Sequence, residues 1–114
     1  MNDYDREISD ALLAIEAELR FLSLWEDEPP PAEDLLSGQP FCCDTLDFPQ
    51  WAQWVLLPRM WNIVEQAGPY PTRCGIHAYA EEWAVNQGAD SLALLGHIKR
   101  FDALIEGRYA SERH

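Results

Sequence analysis

The sequence predicts an all-α fold: one domain over residues 1–107, built as a bundle of four longer helices plus a short one, with a polar C-terminal tail at 108–114. Three observations carry this. Apolar residues recur at spacings of three and four in four separate stretches, the period of one helix face. Proline and glycine clusters fall between those stretches, where the chain has to leave a helix. No run alternates apolar and polar residues between hairpin signals, so paired strands have no support. At 114 residues and 47% hydrophobic, with five tryptophans, the chain holds enough apolar surface for one core.

The first helix is expected from Asp3 to Trp25, where Ile8, Leu12, Ile15, Leu19 and Leu22 form an apolar stripe. Asp3, Asp5 and Glu7 lie near its start, where carboxylates interact favourably with the helix dipole. At about 100° per residue, Asp3, Glu7, Asp10 and Glu18 gather opposite the stripe, giving one core face and one acidic, wet face. Glu26-Asp27-Glu28 and three consecutive prolines should stop it, because prolines lack backbone donors and hold preceding residues extended.

A short helix fits Ala32 to Leu36, leaving by Ser37-Gly38, and a connection follows from Gln39 to Leu46. Asp47-Phe48-Pro49-Gln50 matches a capping box with proline in the first turn, so a helix is expected over 48–67. Trp51, Trp54, Val55, Leu57, Met60, Trp61 and Val64 spread around much of its circumference, the pattern of a central helix. Its interior Pro58 cannot donate to the carbonyl four residues back, which predicts a kink between Trp54 and Pro58. Gly68-Pro69 should end it. Ile76, Tyr79, Ala80 and Trp83 mark a helix from Cys74 to Gln87, closed by Gly88. Asp90 or Ser91 caps a last one, in which Leu92, Leu95, Ile98, Phe101, Leu104 and Ile105 keep helical spacing up to Gly107.

The formal charge of −12 is unevenly placed: residues 1–47 carry thirteen acids and two bases, residues 48–114 seven acids and six bases. Such a field repels nucleic-acid phosphates and anionic membranes and attracts basic proteins or cations, so no direct nucleic-acid or membrane partner is expected. The longest apolar runs, such as Val55-Leu56-Leu57, are far below the ~20 residues of a membrane span, and the acidic N-terminus lacks a basic leader; the expected location is the cytoplasm. Three cysteines, with Cys42 and Cys43 adjacent, suit reduced thiols better than a disulfide framework.

The stretch Gln39-Pro40-Phe41-Cys42-Cys43-Asp44-Thr45-Leu46-Asp47-Phe48-Pro49-Gln50-Trp51, followed by Val55-Leu56-Leu57-Pro58-Arg59-Met60 and later by Ala80-Glu81-Glu82, resembles the YqcC-like family of small bacterial proteins. With the leucine-rich first helix and the proline-rich linker, the resemblance covers nearly the whole chain. It implies a compact helical bundle, no established activity, and genes often beside that of a tRNA pseudouridine synthase. The paired cysteines depart from the apolar residues expected in the family there, which argues against a family-wide cysteine chemistry.

Few residues point to catalysis. Cys74 and His77 have a C-x-x-H spacing that Cys42 and Cys43 would have to complete for zinc, but adjacent cysteines lack the usual ligand spacing, so no metal or other cofactor is expected. Asp44, Glu81 and Glu82 are the carboxylates that could act as an acid–base pair. Glu81 and Glu82, however, point about 100° apart on a helix; Glu81 is placed to pair with His77, and Glu82 with a base from another helix. Arg59, Asn62 and Gln66 form a polar wedge on the 48–67 helix, a solvent edge or a pocket in which Arg59 holds a carboxylate. His97 lies beside Lys99 and Arg100 and is expected at the surface. No catalytic triad order or phosphate loop is present.

Two functions follow. The first is a non-enzymatic interaction module offering an acidic surface, built by Asp3, Glu7, Asp10 and Glu18 with the Glu26-Asp27-Glu28 end, to a basic protein such as a tRNA pseudouridine synthase. The second is a small-ligand-binding bundle or minor enzyme using Arg59 and nearby carboxylates.

Overall fold

Ile8, Leu12, Ile15 and Leu19 lie one above another on helix α1 (Asp3–Phe21), and all four are fully buried. Burying each contributes roughly 1.5–3 kcal/mol, enough to fix which side of α1 faces inward. A computed structural model describes residues 3–42, 44–71, 75–85 and 91–112. After α1 come 3₁₀ turns at Ala32–Leu36 and Pro40–Cys42. A continuous helical run follows: α2 (Phe48–Trp51), a π turn (Ala52–Leu56) and α3 (Leu57–Glu65). Helices α4 (Ile76–Ala84) and α5 (Leu92–Glu112) complete the chain, which is all-helical among the described residues. Helix α5 packs on α1 and α4, and α3 on α1. The core they enclose includes Phe48, Leu57, Met60, Ala80, Ile98 and Phe101.

Helix α1 ends at Phe21, four residues short of the expected Trp25. Ser23 takes a left-handed φ of 60°. Its N–H reaches Arg20 O at 3.1 Å, and Leu24 N–H reaches Leu19 O at 2.8 Å, which together satisfy carbonyls the helix would leave open. The chain therefore turns before the prolines are reached. The same closure ends α3, with Ala67 at φ 57°, Ala67 N–H on Val64 O at 3.1 Å and Gly68 N–H on Ile63 O at 2.9 Å. Gly68, expected to end this helix, does take part in its closure at φ 101°, directly after the left-handed alanine. Replacing exposed Ala67 by glycine removes the Cβ strain of that conformation. After the entropy glycine adds to the unfolded chain, Ala67→Gly should raise stability by about 0.5–1 kcal/mol, or roughly 3–6 °C in Tm. Thermal unfolding checks this; an unchanged or lowered Tm contradicts it.

The helix over 48–67 begins as expected: Gln50 Oε1 accepts Asp47 N–H at 2.9 Å in a capping box. Its irregularity near Pro58 is a π turn, in which Leu57 N–H donates to Ala52 O, five residues back. Proline has no N–H for the carbonyl of Trp54, and widening the turn before it accommodates that loss. The broad apolar arc is only partly core: Trp51, Leu57, Met60 and Val64 are buried, whereas Trp54, Val55 and Trp61 are half-buried.

Helix α4 starts behind Gly75, whose φ of 68° favours a residue without Cβ. The expected flanks at Cys74 and at Gln87 to Asp90 lie outside the described residues. Helix α5 continues past Gly107 to Glu112, where the sequence predicts a polar tail from residue 108. Gly107 does not take the left-handed conformation that would close a helix, and helix-compatible residues follow it. Its buried seam is Leu94, Ile98, Phe101 and Ile105, with Leu95 and Leu104 half-buried and Leu92 exposed.

Candidate functional site

Asp3, Glu7 and Asp10 are exposed, on the side of α1 away from Ile8, Leu12, Ile15 and Leu19. Glu18 is half-buried and belongs to the flank of that face. Asp5, in contrast, is buried: it sits on the apolar arc, three residues before Ile8, and accepts a hydrogen bond from Tyr70 Oη. The Tyr70 ring meets Tyr4 edge-on at 5.0 Å, and Tyr4 Oη donates to Leu104 O at 2.9 Å. These contacts anchor the start of α1 to α5 and leave the next carboxylates facing solvent.

Glu26 does not join the acidic surface as expected. Its backbone N–H donates to Gln53 Oε1 at 2.8 Å, and Gln53 Nε2 donates to its carbonyl at 2.7 Å. Its carboxylate accepts Trp54 Nε1–H at 3.1 Å and Gln50 Nε2–H at 3.4 Å. The buried Gln53 amide therefore seats the Glu26 backbone against the π turn. Asp27 and Glu28 remain exposed.

This clamp shapes an open groove of about 510 Å³ between the end of α1 and the π turn. Trp25, Trp54, Pro58 and Trp61 wall it, and Glu16, Arg20, Glu26 and Asp27 reach its rim. All three tryptophans are half-buried. Arg20 lies over the Trp25 ring at 4.3 Å, with its Nε 3.2 Å from Glu16 Oε2. Trp54 and Trp61 belong to the wide apolar arc expected from the sequence, whereas Pro58 between them is expected only as the source of a kink. Trp25 and Glu26 gave no local sign that they would fold against this wall.

Arg59 is exposed at the edge of a smaller cleft of about 160 Å³, lined otherwise by Phe41, Trp51, Val55, Met60, Pro71 and Phe101 among others. No carboxylate lines that cleft, and among the described residues no ion pair joins Arg59 to one. Asn62 and Gln66 are exposed and bond each other at 3.2 Å, as a solvent edge would. Glu81 pairs with His77 at 3.2 Å, while Glu82 is exposed with no ion pair among the described residues. Asp44 is exposed and accepts a hydrogen bond from Ser37 Oγ. Lys99 and Arg100 are exposed and His97 half-buried. Cys42 is buried, with Sγ 3.9 Å from Leu35 O, and Cys43 and Cys74 lie outside the described residues. The described residues bring no three potential metal ligands together, and no helix among them is long and apolar enough to cross a membrane.

Comparison with known proteins fits this geometry. YqcC of Escherichia coli strain K12 is 32% identical over 104 residues, covering 91% of this chain and 94% of that protein. The chain belongs to the YqcC-like family. A family model (DUF446) described as tRNA pseudouridine synthase C matches residues 7–104. The solution NMR structure of YqcC superposes with a TM-score of 0.78 at 32% identity, covering 93% of this chain and 90% of that one. An uncharacterized protein of Haemophilus influenzae is 43% identical over 61 residues, 54% of this chain and 58% of its own length. A tRNA pseudouridine synthase C of Pectobacterium carotovorum is 36% identical over 61 residues, again 54% of this chain but 16% of the synthase.

Proposed function

We propose that this YqcC-like chain is a non-enzymatic interaction module that offers the acidic face of α1 to a basic protein partner. The observation carrying this reading is the side-by-side exposure of Asp3, Glu7 and Asp10 on a helix whose other face is wholly committed to the core. The polar groups that would serve an enzyme are instead spent on structure: Asp5 on Tyr70, Glu26 on the π turn and Glu81 on His77. A tRNA pseudouridine synthase is the partner best supported. A relative bearing that name contains a segment similar to half of this chain, and joining two pieces covalently raises their effective concentration for each other. The alternative, a small ligand held by Arg59 and nearby carboxylates, has no carboxylate at the Arg59 cleft to support it.

The test uses the intact chain and the tRNA pseudouridine synthase C of the same cell. Reversing Asp3, Glu7 and Asp10 to lysine, with half-buried Glu18→Gln, should slow association roughly tenfold at low salt and flatten its salt dependence. The lost dipole interaction costs about 0.3–1 kcal/mol per charge near the helix start, so circular dichroism should still report a folded chain. A folded variant that binds with unchanged rate and salt dependence sinks the reading.

A further inference from the structure

We infer that the groove walled by Trp25, Trp54, Pro58 and Trp61 binds an arginine-bearing segment of a protein partner. The inference builds on the proposed function in taking a basic protein as partner, but it concerns another face of the molecule. Arg20 itself shows what this surface takes. Its guanidinium lies 4.3 Å above the Trp25 ring and 3.2 Å from the Glu16 carboxylate, so an aromatic face and an anion hold it together. The groove repeats those two elements beyond Arg20. Trp54 and Trp61 are half-buried, and no cation covers their faces among the described residues. Asp27 is exposed at the rim with no ion pair among the described residues.

Indole faces carry the negative side of the ring quadrupole and attract a guanidinium most strongly where water is partly excluded. Three carboxylates against one base at the rim favour a cation over a neutral or anionic occupant. At about 510 Å³ the groove has room for one long side chain and its flanking backbone. Arginine suits it better than other residues, because its planar group stacks on a ring while its edge still donates to a carboxylate. A phosphate-bearing ligand would meet the same carboxylates as repulsion.

The experiment titrates the full ¹⁵N-labelled chain with a short glycine–serine peptide carrying arginine and follows the five indole N–H resonances. Its controls are the same peptide with citrulline, which keeps the shape and loses the charge, and a neutral proline-rich peptide. The expected result is saturable shifts of Trp25, Trp54 and Trp61, with Trp51 and Trp83 unmoved and neither control binding. Asp27→Asn, at an exposed position, should weaken binding about threefold, and Arg20→Gln should tighten it by a similar factor by removing the resident like charge. Lysine at Asp3, Glu7 and Asp10 should leave the shifted resonances the same, so this inference and the proposed function fail separately. Absence of shifts at millimolar peptide, equal binding of the citrulline or proline-rich peptide, or shifts confined to Trp51 and Trp83 would each overturn it.

Discussion

Asp102→Ala is expected to cost about 2–4 kcal/mol of folding stability, although residue 102 touches neither the acidic face nor the groove. The first amides of a helix have no partner within it, and Gly75, at the N-cap of α4, has no side chain to supply one. Asp102, buried on α5, supplies it from across the interface. Its Oδ2 accepts His77 N–H at 2.7 Å and its Oδ1 accepts Ile76 N–H at 3.3 Å. Truncation removes two charge-assisted bonds and leaves one donor buried and one part-buried against α5, a larger loss than that of an ordinary exposed cap. Asp102→Asn keeps one acceptor and should fall between parent and alanine. Urea unfolding gives the magnitudes, and hydrogen exchange at Ile76 and His77 locates the effect. An alanine variant within 0.5 kcal/mol of the parent would refute the cross-helix cap.

The residues that sequence reasoning placed well and those it missed differ in a physical way. Ile8, Leu12, Ile15 and Leu19 announce their burial because helical geometry converts spacing directly into a face. The capping box at Asp47 and Gln50 is legible for the same reason, since every group involved lies within one turn. Asp5, Asp102 and Gln53 are polar positions whose partners lie 65, 25 or 26, and 27 residues away in the chain. The helical spacing of apolar residues, read by itself, assigns none of these three a partner. The available sign was position: Asp5 falls three residues before Ile8 and Asp102 four after Ile98, both on the apolar arc, where a polar side chain needs a partner. Helix ends were misplaced at Trp25 and Gly107 because closure depends on which residue adopts positive φ. Ser23 does so ahead of the prolines expected to stop α1, and Gly107, expected to close α5, does not.

Gln53→Ala should lower stability by about 1.5–3 kcal/mol and, unlike Asp102→Ala, dismantle the groove. Gln53 is buried within the π turn, and its amide closes a two-bond ring with the Glu26 backbone. Among the described residues no other backbone hydrogen bond ties Glu26 N–H or C=O to the helices, so alanine exchanges both bonds for water and leaves the segment carrying Trp25 and Asp27 to the weaker hold of the Glu26 carboxylate on Trp54 and Gln50. Gln53→Glu keeps the acceptor for Glu26 N–H but turns a carboxylate oxygen toward Glu26 O and adds charge beside its carboxylate; it should be at least as damaging. Two readouts separate local release from general unfolding. Urea denaturation reports the loss of stability. In the still-folded alanine variant, the Trp25 and Trp54 indole resonances should move while Trp83, in the aromatic cluster with Phe48, keeps its position. If those indoles stay in place and the arginine peptide binds as before, the Glu26 clamp is not what builds the groove. If Trp25 is released and peptide binding disappears from a folded chain, the π turn that accommodates Pro58 is also the element that positions the binding surface.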